Sequence, residues 1–600
     1  MNSIPSQCDL LVIGAGAGGL ATAISARKQG LNVVVIEKDQ VFGGTTAFSG
    51  GVLWIPGNRH GRKQAPDDSR DKAREYLRNE TADFYDAEQS EAFLRKGPEM
   101  VDFFEDNTSV RFIPTLYPDY HPDVAGGVDI GRSILAAPFD IRELGDDMKR
   151  MRPPLKTITF IGMMFNSSNA DLKHFFNATK SLTSFMYVAK RLAIHLKELL
   201  LYRRGTNVTS GNALAARLAK SALDLGIPII TGCAVKELLQ HNGRVIGAAV
   251  QQGGQSREIR AERAVVLACG GFSHDVKRLA ETYPHLKRGG EHFSPVPDSN
   301  TGDGARMVEQ LGIKVDCVYK DAAAWMPVSL IPDGSNKPAV FPHLLDRYKP
   351  GVIGVTPAGS RFCNESNSYH DVGVDMIRSS HRDRDGDSSK GKDTFMWLIC
   401  DQTTLKKYGL GFVKPAPLPI GKFLRNGYLK TGKTLDELAR AIGASSATLV
   451  NTVAEYNAGA VQGKDLQFGR GTTTFNRYLA DPENKPNPCV APVAKGPFYA
   501  VKVYMGDLGT FDGIRTSTYG EVLSNDNTPM PGLYAVGNDR RSVMGGNYPG
   551  AGITLGPIMT FGYITGRHVA GIRDLDDLKG TTATTQANTT EEPRHGHAIG

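Results

Sequence analysis

The sequence predicts an α/β protein: a doubly wound parallel sheet of the dinucleotide-binding kind, with a separate α+β domain inserted into it. Three observations predict this. The chain opens on an apolar strand, a glycine run, a helix of small residues and a second apolar strand ending in an acid. A strand running into glycines returns at residues 264–271 and again at 532–537. Between about 290 and 490 that alternation is lost, which marks a domain of different construction.

Taken in order, Cys8-Asp9-Leu10-Leu11-Val12-Ile13 reads as a buried parallel strand, because its apolar residues run on without alternating. Gly14-Ala15-Gly16-Ala17-Gly18-Gly19 follows, then a helix through Lys28, then the strand Val33-Val34-Val35-Ile36 ending at Glu37. Gly14 permits the tight turn, Gly16 lets backbone approach a pyrophosphate, and Gly19 lets helix pack on strand. Glu37 stands where a ribose hydroxyl ligand is expected. Residues 60–110 are charged and helical in pattern, and 112–135 are rich in Pro, Gly and Tyr. Residues 154–204 form an insertion in which Phe185, Met186, Val188, Leu192, Leu196 and Leu199 recur at roughly helical spacing beside Lys190, Arg191, Lys197, Arg203 and Arg204. The plain reading is an amphipathic helix lying against its domain; the alternatives are peripheral contact with a membrane and guarding an apolar entrance.

After Gly211 comes a helix, then the short strand Ile227-Pro228-Ile229-Ile230 and a hairpin-like pair around Asn242-Gly243-Arg244. Next is the strand at 264–268, ending in Cys269-Gly270-Gly271. From Tyr499 the pattern is strand, loop, strand (Gly532-Leu533-Tyr534-Ala535-Val536), a glycine-rich loop, and a final helix beginning near Ile553. The expected organisation is a cofactor domain over 1–290 and 491–575, a second domain over 291–490, and a disordered tail over 576–600.

Composition narrows the function. The 600 residues exceed one hydrophobic core, and 40% hydrophobic with 22% charged residues is ordinary for globular proteins. A formal charge of +7, with both signs scattered, is no nucleic-acid footprint, so no nucleic acid partner is expected. Seven widely spaced cysteines without a CxxC suggest neither a disulfide framework nor a metal site, and fit a cytoplasmic protein. The first strand begins too early to leave room for a signal peptide, and no apolar run approaches roughly 18 residues. Neither HExxH nor GxSxG is present, against metal and serine chemistry.

A purely structural glycine turn at 14–19 would leave Gly43-Gly44-Thr45-Thr46-Ala47-Phe48-Ser49-Gly50-Gly51 unexplained. That run is too glycine-rich for a core element and suited to passing close to a flat ring. A helix N-terminus near Gly552-Ile553-Thr554-Leu555-Gly556 would set amide dipoles against a flavin's pyrimidine oxygen, which turns negative on reduction. With Tyr534-Ala535-Val536-Gly537-Asn538, this constellation resembles the FAD-dependent fumarate reductase and ketosteroid dehydrogenase superfamily, over nearly the whole chain. The resemblance implies a Rossmann-like FAD-binding domain capped by an inserted catalytic domain. It implies FAD contacts at Gly14, Gly16, Gly19, Glu37, Thr46, Gly51, Gly537 and Asn538, with Lys38, Gly44, Thr45, Ser49, Gly50, Ala234, Val235, Gly270, Ile553, Thr554 and Leu555 completing the expected set.

Within that superfamily, diacid reductases carry an arginine just after an RFxNE stretch. Here Arg361-Phe362-Cys363-Asn364-Glu365 is followed by Tyr369 in that slot, and the C-terminal loop reads Gly545-Gly546-Asn547-Tyr548-Pro549-Gly550-Ala551-Gly552. Both features are similar to the 3-ketosteroid Δ1-dehydrogenases, whose site is built from three tyrosines and a glycine amide. Their third tyrosine lies in a YxDYxP segment, here Tyr117-Pro118-Asp119-Tyr120-His121-Pro122, which points to Tyr120 over Tyr117. The resemblance implies 1,2-dehydrogenation of a 3-ketosteroid, from a 3-oxo-4-ene to a 3-oxo-1,4-diene. Tyr548 and the Gly552 amide would polarise the ketone, Tyr369 with a lowered pKa would take the carbon-2 proton, Tyr120 would assist it, and hydride would pass to flavin N5.

His121 and His370 adjoin two of these tyrosines and are expected to face solvent, as neighbours in sequence point apart. Competing readings are a Δ4-dehydrogenase of 5α-3-ketosteroids, a diacid reductase disfavoured by the missing arginine, and a flavin-binding electron-transfer subunit. Electron acceptor and oligomeric state carry no sequence signal.

Overall fold

The computed structural model describes residues 5–164, 174, 181–332, 334, 337–382 and 394–578. Leu10, Val12 and their neighbours are fully buried because the first strand, Gln7–Ile13, is flanked on both edges by parallel partners, Val33–Glu37 and Gln255–Leu267. Among the described residues the sheet has eight strands. Its main path runs Glu521–Leu523, Pro529–Ala535, Gln255–Leu267, Gln7–Ile13, Val33–Glu37, Ile229–Thr231, and the antiparallel hairpin Cys233–His241/Arg244–Gln252 hangs from Gln255–Leu267. Gly14 lies at φ +114°, where a Cβ would fall 2.1 Å from the Ala268 carbonyl oxygen, so only glycine fits between these strands. The helix Ala17–Lys28 packs on the last helix, Leu555–Val569, through small residues; a Cβ on Gly566 would meet the Thr22 carbonyl oxygen at 2.5 Å. Two helices of the charged N-terminal stretch, Arg70–Thr81 and Ala87–Asn107, start on Ser69 and Asp86, whose side chains accept from the Lys72 and Gln89 amides.

A second sheet, six-stranded among the described residues and antiparallel, runs Ala339–Pro342, Ala323–Ile331, Phe498–Thr510, Phe395–Asp401, Val352–Val355, with Leu429–Gly432 also paired to Phe498–Thr510. This corrects the expected domain boundary at 490: the strand from Phe498, read as the return to the cofactor sheet, is central to the second one. Its apolar pattern suits either sheet, and its partners lie far off in sequence. The helix Tyr369–Arg382 packs on this sheet, where Gly373 lies so close that a Cβ would come within 2.5 Å of the Trp325 Cβ.

The helix within 154–204 spans Leu182–Tyr202. Val188, Leu192 and Leu199 are half-buried, but Phe185, Met186 and Leu196 are exposed, so much of the apolar face expected to lie against the domain is turned outward. Most of residues 165–180, and residues 579–600 of the expected tail, lie outside the described residues. Among the described residues no helix is long and apolar enough to cross a membrane.

Candidate active site

Three tyrosines from segments far apart in sequence meet in one buried cluster. The Tyr120 hydroxyl donates to the Tyr369 hydroxyl oxygen at 3.4 Å. The Tyr548 ring stacks on Tyr120 at 5.5 Å between centroids and meets Tyr369 edge-on at 4.9 Å. Phe475 lies against Tyr120 at 4.4 Å and Phe511 against Tyr548 at 6.2 Å. Tyr117 instead packs its ring on Tyr478 at 4.6 Å. Among the described residues no Lys or Arg cation lies over the three rings. Burial pushes the pKa of Tyr120 and of Tyr369 well above the usual phenol value and raises that of Tyr548. This direction is opposite to the lowering expected for Tyr369: burial favours the neutral phenol, and among the described residues no Lys or Arg lies over the ring to offset it.

The segments are tied together beside the tyrosines. The Tyr120 amide donates to the Pro549 carbonyl at 2.9 Å, and Tyr76 donates its hydroxyl to the same oxygen at 2.7 Å. The buried Asp119 carboxylate accepts from Trp54 Nε1 and from Arg132, both at 2.8 Å; burial raises its pKa to about 6 against the pull of Arg132. His121 bridges Glu80, 2.9 Å from Nδ1, and Asp371, 3.0 Å from Nε2, in the first turn of the helix that begins at Tyr369. Burial opposes its charge, but the two carboxylates raise its pKa to about 11. His370 is buried, accepts from the Trp325 amide at 3.2 Å, and has its pKa lowered by that burial. His370 does not face solvent as expected, because it follows Tyr369 in the first turn of the helix packed on the second sheet; His121 keeps 31% of its side chain exposed but is held between the two carboxylates.

Gly552 has φ +96°, and a Cβ there would sit 2.5 Å from the Val52 carbonyl oxygen. Its carbonyl accepts from the Trp54 amide at 3.0 Å, while its own amide has no acceptor among the described residues. The RFxNE stretch has a different part: Arg361 is buried in ion pairs with Glu365 and Asp465, both at 2.8 Å, and Arg470 joins them at 3.3 Å.

On the other side of the glycine turn lies a cleft of about 830 Å³ lined by Gly14, Gly16, Glu37, Lys38, Gly44, Thr45, Thr46, Val235, Gly270, Gly537 and Asn538, all expected. Ile553 and Thr554 line an adjoining space of about 330 Å³ with Gly537 and Asn538. The other expected contacts are not among the residues lining these two spaces. Gly19 is a packing glycine, its Cβ position 2.0 Å from the Gly14 carbonyl oxygen, and Gly51 is pressed on the Ser210 backbone. Ser49 donates to the Thr46 carbonyl at 2.8 Å, Gly50 is exposed, and Leu555 is in the core. Ala234 is displaced by strand alternation: Cys233 and Val235 line the cleft, and the residue between them points away. Cys269 also lines it beside the expected Gly270, and Arg152, Ser299, Asn300 and Asp303 line it without a local sequence signal, since only long-range packing brings them there.

A family model for the FAD binding domain matches residues 9–555. The chain belongs to the FAD-binding domain family.

FAD is accordingly its cofactor, and the cleft suits that group. The Glu37 carboxylate accepts from the Ala15 and Asp39 amides, each at 3.0 Å, and keeps lone pairs free for hydroxyl donors. Arg152 Nε is buried in the cleft wall without a partner. This FAD-dependent dehydrogenase is 42% identical over 94% of its length to the 4-oxocyclohex-2-ene-1-carboxylate 5-dehydrogenase of Sinomonas cyclohexanicum, covering 94% of that protein. It is 34% identical to the 3-oxosteroid 1-dehydrogenase of Mycolicibacterium smegmatis, over 94% of this chain and 97% of that one. The 3-ketosteroid Δ1-dehydrogenase from Sterolibacterium denitrificans, solved with 1,4-androstadiene-3,17-dione, superposes with a TM-score of 0.84 at 32% identity, covering 94% of this chain and 99% of that chain.

Proposed function

We propose that this FAD-dependent dehydrogenase removes both hydrogens of a CH–CH bond beside the ketone of a six-membered ring, and that the ring is the A ring of a 3-ketosteroid. The reading rests on the meeting of Tyr120, Tyr369 and Tyr548, supported by the Gly552 amide, which has no acceptor among the described residues. A ketone acidifies its neighbouring carbon because the carbanion is an enolate, so donors at the ketone oxygen lower the barrier most. The Tyr548 hydroxyl and the Gly552 amide are those donors. Tyr369 in its ionised form takes the proton from the carbon beside the ketone, and Tyr120, at hydrogen-bonding range, stabilises that phenolate before the transfer. Bound FAD supplies the two-electron acceptor for the hydride. The uncharged aromatic walls exclude water and suit a neutral, apolar ring.

A second reading keeps the chemistry and changes the substrate. Identity is higher to a relative named for 4-oxocyclohex-2-ene-1-carboxylate than to those named for steroids, which favours a small ring keto acid. Anaerobic bleaching of the bound flavin by a 4-en-3-one steroid and by that keto acid separates the two. The steroid reading expects bleaching by the steroid, with a 1,4-diene product in the ultraviolet spectrum; bleaching by the keto acid alone moves the assignment to the second reading. If neither ring ketone bleaches the flavin, the proposed reaction is wrong.

A further inference from the structure

The helix Leu182–Tyr202 is built inside out. Leu182, Phe185, Met186, Leu196 and Leu200 fall on one face at the helical repeat, and all five are between 55% and 85% exposed. The side chains buried on this helix are polar, Ser184 and His195. Its inner side is held by polar bonds: His195 Nε2 lies 2.9 Å from the Ile161 carbonyl oxygen, and Glu198 accepts from the Thr206 amide and hydroxyl at 3.1 and 3.0 Å. A helix on a water-soluble surface has the opposite arrangement, with its apolar stripe inward. A contiguous exposed stripe of this size marks a place where something apolar is met.

The charges decide between partners. Lys190 and Lys197, both exposed, stand two turns apart beside the stripe. The helix has a single acid, Glu198, and it is turned inward onto Thr206. A second copy of the chain seated on this face would bring the same two lysines with no carboxylate on the stripe to meet them, at an electrostatic cost. Anionic headgroups over an acyl layer complement both features: the apolar side chains enter the acyl boundary while the lysines extend their ammonium groups to the phosphates. We propose that the helix Leu182–Tyr202 docks the protein, lying flat, on an anionic lipid surface.

Co-sedimentation of the FAD-loaded protein with vesicles tests this. The lipid is phosphatidylcholine, with or without phosphatidylglycerol. The wild type is expected to partition onto the phosphatidylglycerol vesicles and much less onto phosphatidylcholine alone. Combined Phe185→Ser, Leu196→Ser and Leu200→Ser should lower partitioning at least about tenfold, with flavin content and thermal midpoint unchanged, because these side chains support no core. Lys190→Gln with Lys197→Gln should weaken binding and flatten its salt dependence without touching the stripe. The proposal is overturned if the wild type stays in the supernatant with both vesicles, or if the serine variant binds like the wild type. It is equally overturned if sedimentation velocity shows a dimer that the serine variant dissolves while vesicles bind neither form.

Discussion

Tyr369 stands at the first position of its helix, with Asp371 two residues on and His121 bonded to that carboxylate. The helix start that carries the phenol is therefore held by this charge pair. Tyr369→Phe is expected to lower kcat by about 10²–10⁴-fold with FAD still bound, the range for losing a proton-transfer group, as read by stopped-flow flavin bleaching. Tyr120→Phe should cost more than Tyr117→Phe, whose ring faces Tyr478 instead. Because burial raises the Tyr369 pKa, its ionised form is scarce near neutrality, and kcat/KM should climb with pH by up to about tenfold per unit; a flat profile would remove Tyr369 as the base. His121→Gln should lower kcat by about tenfold while leaving KM and flavin content alone, since only alignment is lost. Its folded pKa of about 11 lies above the ordinary histidine value of about 6.5. The stabilisation from its charge is thus complete below about pH 6.5 and lost as pH rises through about 11. The difference in thermal midpoint between wild type and His121→Gln should shrink along that climb. The DY position was readable in the sequence; the histidine between two acids was not, because Glu80 and Asp371 are distant in sequence.

At the scale of elements, the loop from Tyr548 to Gly552 carries one phenol and the unengaged amide into the start of the last helix. Gly552 lacks room for any side chain against Val52, whereas Gly571, also at positive φ, has open space around it. Gly552→Ala should therefore displace the loop and lower turnover by more than about 100-fold, since oxyanion donors are worth that much. Gly571→Ala should remain active and cost only about 1 kcal/mol of strain in thermal or urea unfolding. The glycine fingerprint and its strands were legible because a continuous apolar run before glycines has few other meanings. Fine placement was less so: the alternation that sends Ala234 away from the cleft and Cys233 toward it depends on register, and one residue of error flips a face. The helix Leu182–Tyr202 shows the same limit, since its spacing announces a helix but not which face finds cover.

For the molecule as a whole, two sheets are joined by a chain that enters the second and returns. Within the second, Arg361 with Glu365, Asp465 and Arg470 forms a buried charge cluster where a sequence comparison sees only an RFxNE motif. Arg361→Met leaves two carboxylates buried with too little positive charge and should destabilise the protein by about 3–5 kcal/mol in urea unfolding. Lys149→Gln, which breaks an exposed pair with Asp146, should change stability by less than about 0.5 kcal/mol. By itself the sequence determined the fold class, the dinucleotide turn with its acid, and the tyrosines worth watching, because each is written in local runs of residue type. Tertiary structure alone decided that the strand at Phe498 joins the second sheet, that three distant phenols meet in one buried cluster, that His121 sits between two acids, and that Arg152 lines the cleft. Those outcomes depend on partners hundreds of residues apart, whose meeting follows from packing of the whole chain and not from any local pattern.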